Sequence, residues 1–138
     1  MIEFIKKPGI ISALLTAFLF LSCASTVSVN DNISNAELMQ RAQEAIDRSR
    51  YKTALGYYEV LREKNMTNTD MVITAEYHIA HIHYKQKLYK QAREELYAVI
   101  ELFNKPDREL YPLHFEKLAQ IILQQIDEKE SRKLPFSK

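Results

Sequence analysis

The chain has 138 residues, 46% of them hydrophobic and 27% charged, which is room for one small domain beyond its N-terminal segment. Residues 1–22 hold Lys6, Lys7 and Glu3; without them 17 basic and 17 acidic side chains remain, so no long-range pull toward nucleic acid is expected. The single cysteine, Cys23, excludes an intramolecular disulfide.

Lys6 and Lys7 precede an apolar run from Ile10 to Leu21, and the small residues Ser22, Cys23, Ala24 and Ser25 follow it. A basic start, a short apolar middle and a small-residue exit are the parts of a secretory signal. As a helix the run would cover only about 18 Å, short of the roughly 30 Å hydrocarbon core, so it is not expected to remain as a transmembrane span. Leu19-Phe20-Leu21-Ser22-Cys23 resembles the lipobox of bacterial lipoproteins, with Phe20 where Leu is common. That resemblance implies cleavage before Cys23 and a diacylglycerol on its thiol. Ser22-Cys23-Ala24 also fits an ordinary small-x-small site, and cleavage after Ala24 with plain secretion is the alternative. Residues 23–33 then form the acylated cysteine and a flexible tether.

From Ser34 the pattern becomes helical. Ser34 and Glu37 have capping-box spacing, and a first helix is predicted from Asn35 to about Arg48. After a break at Ser49-Arg50, the stripe Tyr51, Ala54, Leu55, Tyr58 and Leu61 marks a second helix ending near Asn65. Thr67-Asn68-Thr69-Asp70 is a turn with capping residues. A third helix carries Ile73, Tyr77, Ala80, Tyr84 and Leu88, and a fourth carries Ala92, Leu96, Val99, Ile100 and Phe103, closed by Asn104-Lys105-Pro106. Pro112 suits the first turn of a fifth, with Phe115, Leu118, Ala119, Ile122 and Ile126 on one side. The expected fold is therefore all-α, a helical domain over 34–130 with a polar tail at 131–138.

The chain also repeats. Tyr51 stands three residues before Ala54, and Tyr89 three before Ala92; Ala42 and Ala80 each lie twelve before those alanines, giving a period of 38. These residues resemble the tetratricopeptide repeat family. The better unit is Tyr77-His78-Ile79-Ala80-His81-Ile82-His83-Tyr84, then Tyr89-Lys90-Gln91-Ala92, then Leu96 and Val99, with Pro106 beyond. The first unit keeps Leu38, Ala42, Tyr51, Ala54 and Tyr58. The resemblance implies two stacked hairpins plus a C-terminal capping helix, a short α-solenoid. It also implies a partner-binding groove lined by the first helix of each unit: Met39, Gln43 and Asp47, then Tyr77, His81, Tyr84 and Lys85.

His78, His81 and His83 invite a metal reading. On a helix His78 and His81 are roughly 60° apart but His81 and His83 roughly 200° apart, so the three cannot share one ion. With no HExxH, no G-x-S-x-G and no glycine-rich phosphate loop, neither catalysis nor a cofactor is expected. The expected function is a membrane-tethered scaffold for protein–protein interaction in the bacterial cell envelope, facing the periplasm. One alternative is an accessory lipoprotein of outer-membrane β-barrel assembly, because Tyr84 to Ala92 resembles the repeats of that machinery's lipoprotein subunit. Another is a small-ligand carrier for an envelope transporter.

Overall fold

The computed structural model describes residues 27–30 and 32–132. The expected signal 1–22, Cys23 and the tail from 133 onward lie outside the described residues. Five α-helices follow one another: α1 Asn35–Asp47, α2 Tyr51–Lys64, α3 Thr69–Lys85, α4 Tyr89–Leu102 and α5 His114–Ser131, with a 3-10 turn at Arg108–Leu110. The protein is all-helical, with no strand among the described residues.

The helix starts follow from local chemistry. Ser34 Oγ accepts from the Glu37 amide at 3.1 Å, and Asn68 Oδ1 accepts from the Met71 amide at 3.2 Å. The return half of the Ser34–Glu37 capping box is not made; the Glu37 carboxylate instead takes Arg41 at 2.5 Å, one turn on. Ile33 and Leu38 flank the cap and are both buried in one cluster, a hydrophobic staple. Ile33, expected in a free segment, is thus packed on the domain. Val29 packs on the same cluster, and the Lys64 ammonium donates to the Ile33 carbonyl oxygen.

The 38-residue period recurs in the backbone. Ser49 and Lys87 both have positive φ, 55° and 64°. Around them the same hydrogen bonds recur: Ser49 to Ile46 and Lys87 to Tyr84, Arg50 to Ala45 and Leu88 to His83. This is the Schellman ending, with a non-glycine residue in the left-handed position. Left-handed φ costs an L-residue about 1–2 kcal/mol, part of which glycine gives back in unfolded-state entropy. Lys87→Gly is therefore expected to stabilise the fold by about 0.5–1 kcal/mol, read as a rise in the denaturant midpoint at unchanged slope. A lowered midpoint would mean that Lys87 contributes contacts outweighing its strain.

α1 packs on α2, α2 on α3, α3 on α4 and α4 on α5, while α3 also touches α5. α3 is thus shared. Its Ala75, Ile79 and Ile82 join the cluster of α1 and α2, and its Ile73, Tyr77 and Ala80 join that of α4 and α5. Ala42, Ala54, Ala80 and Ala92 are all fully buried, and Gly56 is buried among them in α2. Small side chains at these points let the axes of α1 and α2, and of α3 and α4, approach closely within the two clusters.

Four expectations need correction. α3 ends at Lys85, and Leu88 is the exposed N-cap of α4 rather than part of the third helix. Pro112 lies ahead of α5 and only its carbonyl joins the first turn, accepting from Phe115 at 3.0 Å. Leu118 is exposed and Leu123 buried; α5 buries Phe115, Ala119, Ile122, Leu123 and Ile126, and a residue one step before Ala119 is turned about 100° away from that face. Phe103 lies just past α4 as its C-cap, fully buried, with its ring 6.1 Å from Tyr111, so the α4–α5 connection is pinned at both ends.

Candidate functional site

Tyr77, His81 and Tyr84 recur at helical spacing along one face of α3 and form a run of rings toward α5. The Tyr77 ring lies 4.8 Å from Phe115 and 5.9 Å from His81, and His81 stacks on Tyr84 at 6.2 Å. The Tyr84 hydroxyl donates to Gln125 Oε1 at 2.8 Å, and the Lys129 ammonium sits 5.8 Å from its ring centre. At the other end of the run His78 lies flat on Tyr58 of α2 at 4.7 Å and meets Phe115 edge-on at 5.8 Å. One ring system therefore crosses from α2 over α3 to α5.

Burial governs its electrostatics. The imidazolium of His78 is disfavoured first by burial and then by His81 and His114, which push its pKa down to about 4. His81 is lowered by burial and by the Lys85 charge, and burial pushes Tyr58 up to about 12. Both histidines are thus neutral rings at neutral pH. His78 Nδ1 is buried without a hydrogen-bond partner.

The expected groove residues separate into two sets. Tyr77, His81 and Tyr84 come together as described, with the exposed Lys85 beside them. Tyr77 itself is only 5% exposed, because Phe115 of α5 covers it; it is part of the core rather than a groove wall. Met39 packs into the first core cluster. Gln43 donates to Asp47 at 2.8 Å, and both are exposed on α1. Among the described residues no hydrogen bond, ion pair or ring contact joins the α1 set to the α3 set.

What the sequence reading missed lies on α5. Gln125, Glu128, Lys129 and Arg132 follow one another at helical spacing and, with Tyr84, line an open cleft of about 340 Å³. Reading α5 only as a cap hid them, although their spacing is visible in the sequence. The result is an open cleft in which the Tyr84 ring faces Gln125, Glu128, Lys129 and Arg132, with the exposed Lys85 following Tyr84 at the end of α3. Such a surface suits an extended polypeptide, whose apolar side chains meet rings and whose carbonyls and carboxylates meet cations.

His83 points the other way, with its Nδ1 2.6 Å from Glu95 Oε2 and Gln91 beside it. Among the described residues no group of three or more His, Cys, Asp or Glu converges as a metal site would require. None of the described helices is long and apolar enough to cross a membrane.

Among proteins of known sequence the chain is similar to an uncharacterized protein of Treponema pallidum (strain Nichols), 32% identical over 117 residues. The match takes in 83% of this chain and 47% of that protein, so the chain spans about half the relative's length. No family model matches it, and no solved structure matches it.

Proposed function

We propose that the chain is a lipid-anchored bacterial envelope protein whose helical domain is a short stack of tetratricopeptide-like hairpins that holds a protein partner on its α3–α5 face. The observation that carries this reading is the recurrence of a whole hairpin at 38 residues, in apolar pattern, buried alanines and Schellman turns alike. A unit repeated at that period stacks on its neighbours and builds a continuous side surface, which is the architecture of recognition modules. The ring run and its cationic edge are the part of that surface richest in groups that anchor polypeptides.

The test uses the full-length chain. Cys23→Ser removes the thiol to be acylated, so processing before residue 23 and membrane association should both be lost; normal membrane recovery rejects the anchor. For the face, crosslinking and pull-down with Tyr84→Ala and with Lys85→Glu should each lower partner recovery about tenfold, equivalent to 1.4 kcal/mol of binding. Unchanged recovery in both variants, with helical content intact, rejects the face.

A further inference from the structure

We infer that the end of the helical stack formed by the α1–α2 and α3–α4 turns docks on an anionic phospholipid surface. This rests on the lipid-anchor reading above, which brings the chain to a membrane; charge picks out the end. Neighbouring helices alternate in direction. Asn35 and Asn65 join the start of α1 to the end of α2, and the contacts Tyr58–His78 and Arg62–Glu76 run oppositely along α2 and α3. Short turns join α1 to α2 and α3 to α4, so the left-handed residues Ser49 and Lys87 stand at one end. The two turns are also the same piece of the repeat, residues 47–52 and 85–90, offset by 38.

Beyond residue 22 the chain balances 17 basic against 17 acidic side chains, yet this end is not balanced. Residues 47–52 hold Arg48, Arg50 and Lys52 against Asp47, and residues 85–90 hold Lys85, Lys87 and Lys90 against no acid, a net charge of +5. All six cations are exposed, and among the described residues none of them joins an ion pair. α5 also ends here but adds no net charge: Asp127, Glu128 and Glu130 are matched by Arg93, Lys129 and Arg132. The connections at the opposite end, residues 63–70 and 104–113, carry three basic and four acidic side chains, a net charge of −1.

The backbone adds to this polarity. α1 and α3 start at the opposite end under the side chains of Ser34 and Asn68, whereas α2 and α4 start here, on Arg50 and Leu88, with no side-chain cap. First-turn N–H groups without a side-chain acceptor therefore stand among the cations, the setting in which helix starts receive phosphate. The carbonyls that close α1 and α3 are already taken by the Schellman bonds. Between the cations lie Tyr51, Tyr89 and the 46% exposed Leu88, residue types that settle at headgroup level.

The entering chain is compatible with this end. Ile33 sits at Lys64, while Val29 and Asn30 share a hollow with Val60, so the chain read backward descends along α2 toward its start. Tyr51 lies nine residues before Val60, about 14 Å along the helix, and the six residues from Val29 back to Cys23 reach about 20 Å when extended. Reach permits the contact, and the +5 charge selects its occupant, because each Lys or Arg held at an anionic leaflet strengthens the attraction.

The sequence contains no tryptophan, which makes an introduced one the sole reporter of its kind. Acylated full-length chains carrying Leu88→Trp or, at the opposite end, Leu110→Trp are reconstituted into vesicles of phosphatidylcholine, alone or mixed with phosphatidylglycerol. In the mixed vesicles Leu88→Trp should emit at shorter wavelength than Leu110→Trp and be quenched by lipid brominated high on the acyl chain. Quenching should fall to the Leu110→Trp level in phosphatidylcholine alone. It should fall likewise when salt is raised from about 0.1 to 1 M, which shortens the screening length from about 10 to 3 Å. Adding Lys52→Glu and Lys90→Glu together should abolish it. Neither residue lies on the α3–α5 face, and each reversal places a carboxylate in the first turn of a helix, so the melting temperature should hold or rise.

Equal quenching in the two lipids, or none in protein that floats with the vesicles, overturns this inference and leaves the anchor standing. Undiminished quenching in the charge-reversed chain overturns it too. No quenching, combined with lower partner recovery by the charge-reversed chain, assigns the end to an acidic protein and also overturns it. Flotation with the mixed vesicles alone, with Leu88→Trp quenched, removes the anchor and keeps the docking surface. A chain that floats with neither kind of vesicle overturns both readings.

Discussion

With phenylalanine in place of His78, most of the loss of stability between pH 6.5 and about 4 should disappear. In the folded protein burial and the neighbouring His81 and His114 hold this imidazole neutral down to about pH 4, whereas the unfolded chain takes up the proton near 6.5. Between those values the unfolded state binds more protons, so stability is complete above pH 6.5 and falls as the pH drops toward 4. A shift of that size corresponds to about 2–3 kcal/mol across the window. His81 is lowered too and leaves a smaller slope of the same sign in the variant. Phenylalanine keeps a flat ring against Tyr58 at 4.7 Å and removes the unpartnered Nδ1, so stability at pH 7 should hold or rise. Denaturant titrations of both proteins at pH 7 and pH 4.5 measure the difference. An unchanged slope would place the proton uptake on another group.

Phe103→Ala should give the largest loss at a single position, about 3–5 kcal/mol, because a fully buried ring is lost and the cavity is only partly refilled. For a domain of this size that lowers the melting temperature by more than about 15 °C. Leu110→Ala, seven residues away and exposed, should stay within about 0.5 kcal/mol of the parent. The contrast separates a connection pinned through Phe103 and Tyr111 from the apolar side chain it displays. Thermal melts followed by circular dichroism decide it, and comparable losses in the two variants would mean that Leu110 is part of the core.

The helices were legible because their signals are local. Ser34 and Asn68 announce caps, apolar residues recur at i, i+3 and i+4, and Gly56 is the single glycine after residue 34, with Pro106 and Pro112 falling in the connection before the last helix. The repeat was legible for the same reason, since Tyr51 and Tyr89 keep a fixed distance to Ala54 and Ala92. The ends were harder to place. Leu88 fits the stripe of the third helix, yet the left-handed turn at Lys87 makes it the start of the next. Leu118 and Leu123 are both leucines, and only the angle at which α5 meets α3 and α4 selects the second for burial.

The candidate site divides in the same way. The residues Tyr77, His81, Tyr84 and Lys85 could be picked out on one helix face, but how much of each remains accessible depends on a helix more than thirty residues away. α5 buries Tyr77 under Phe115, leaves Tyr84 half-open beside Gln125, and supplies Lys129 and Arg132 to the cleft. Likewise the polar stretch 23–33 looked free along its whole length, until Val29 and Ile33 found apolar partners on α1 and α2. The sequence by itself determined the helical class, the period and which faces are apolar, because those are set by spacing along one strand of chain. Which apolar face meets which and which ring is covered were decided only by the tertiary structure, because burial is a property of what packs against a residue.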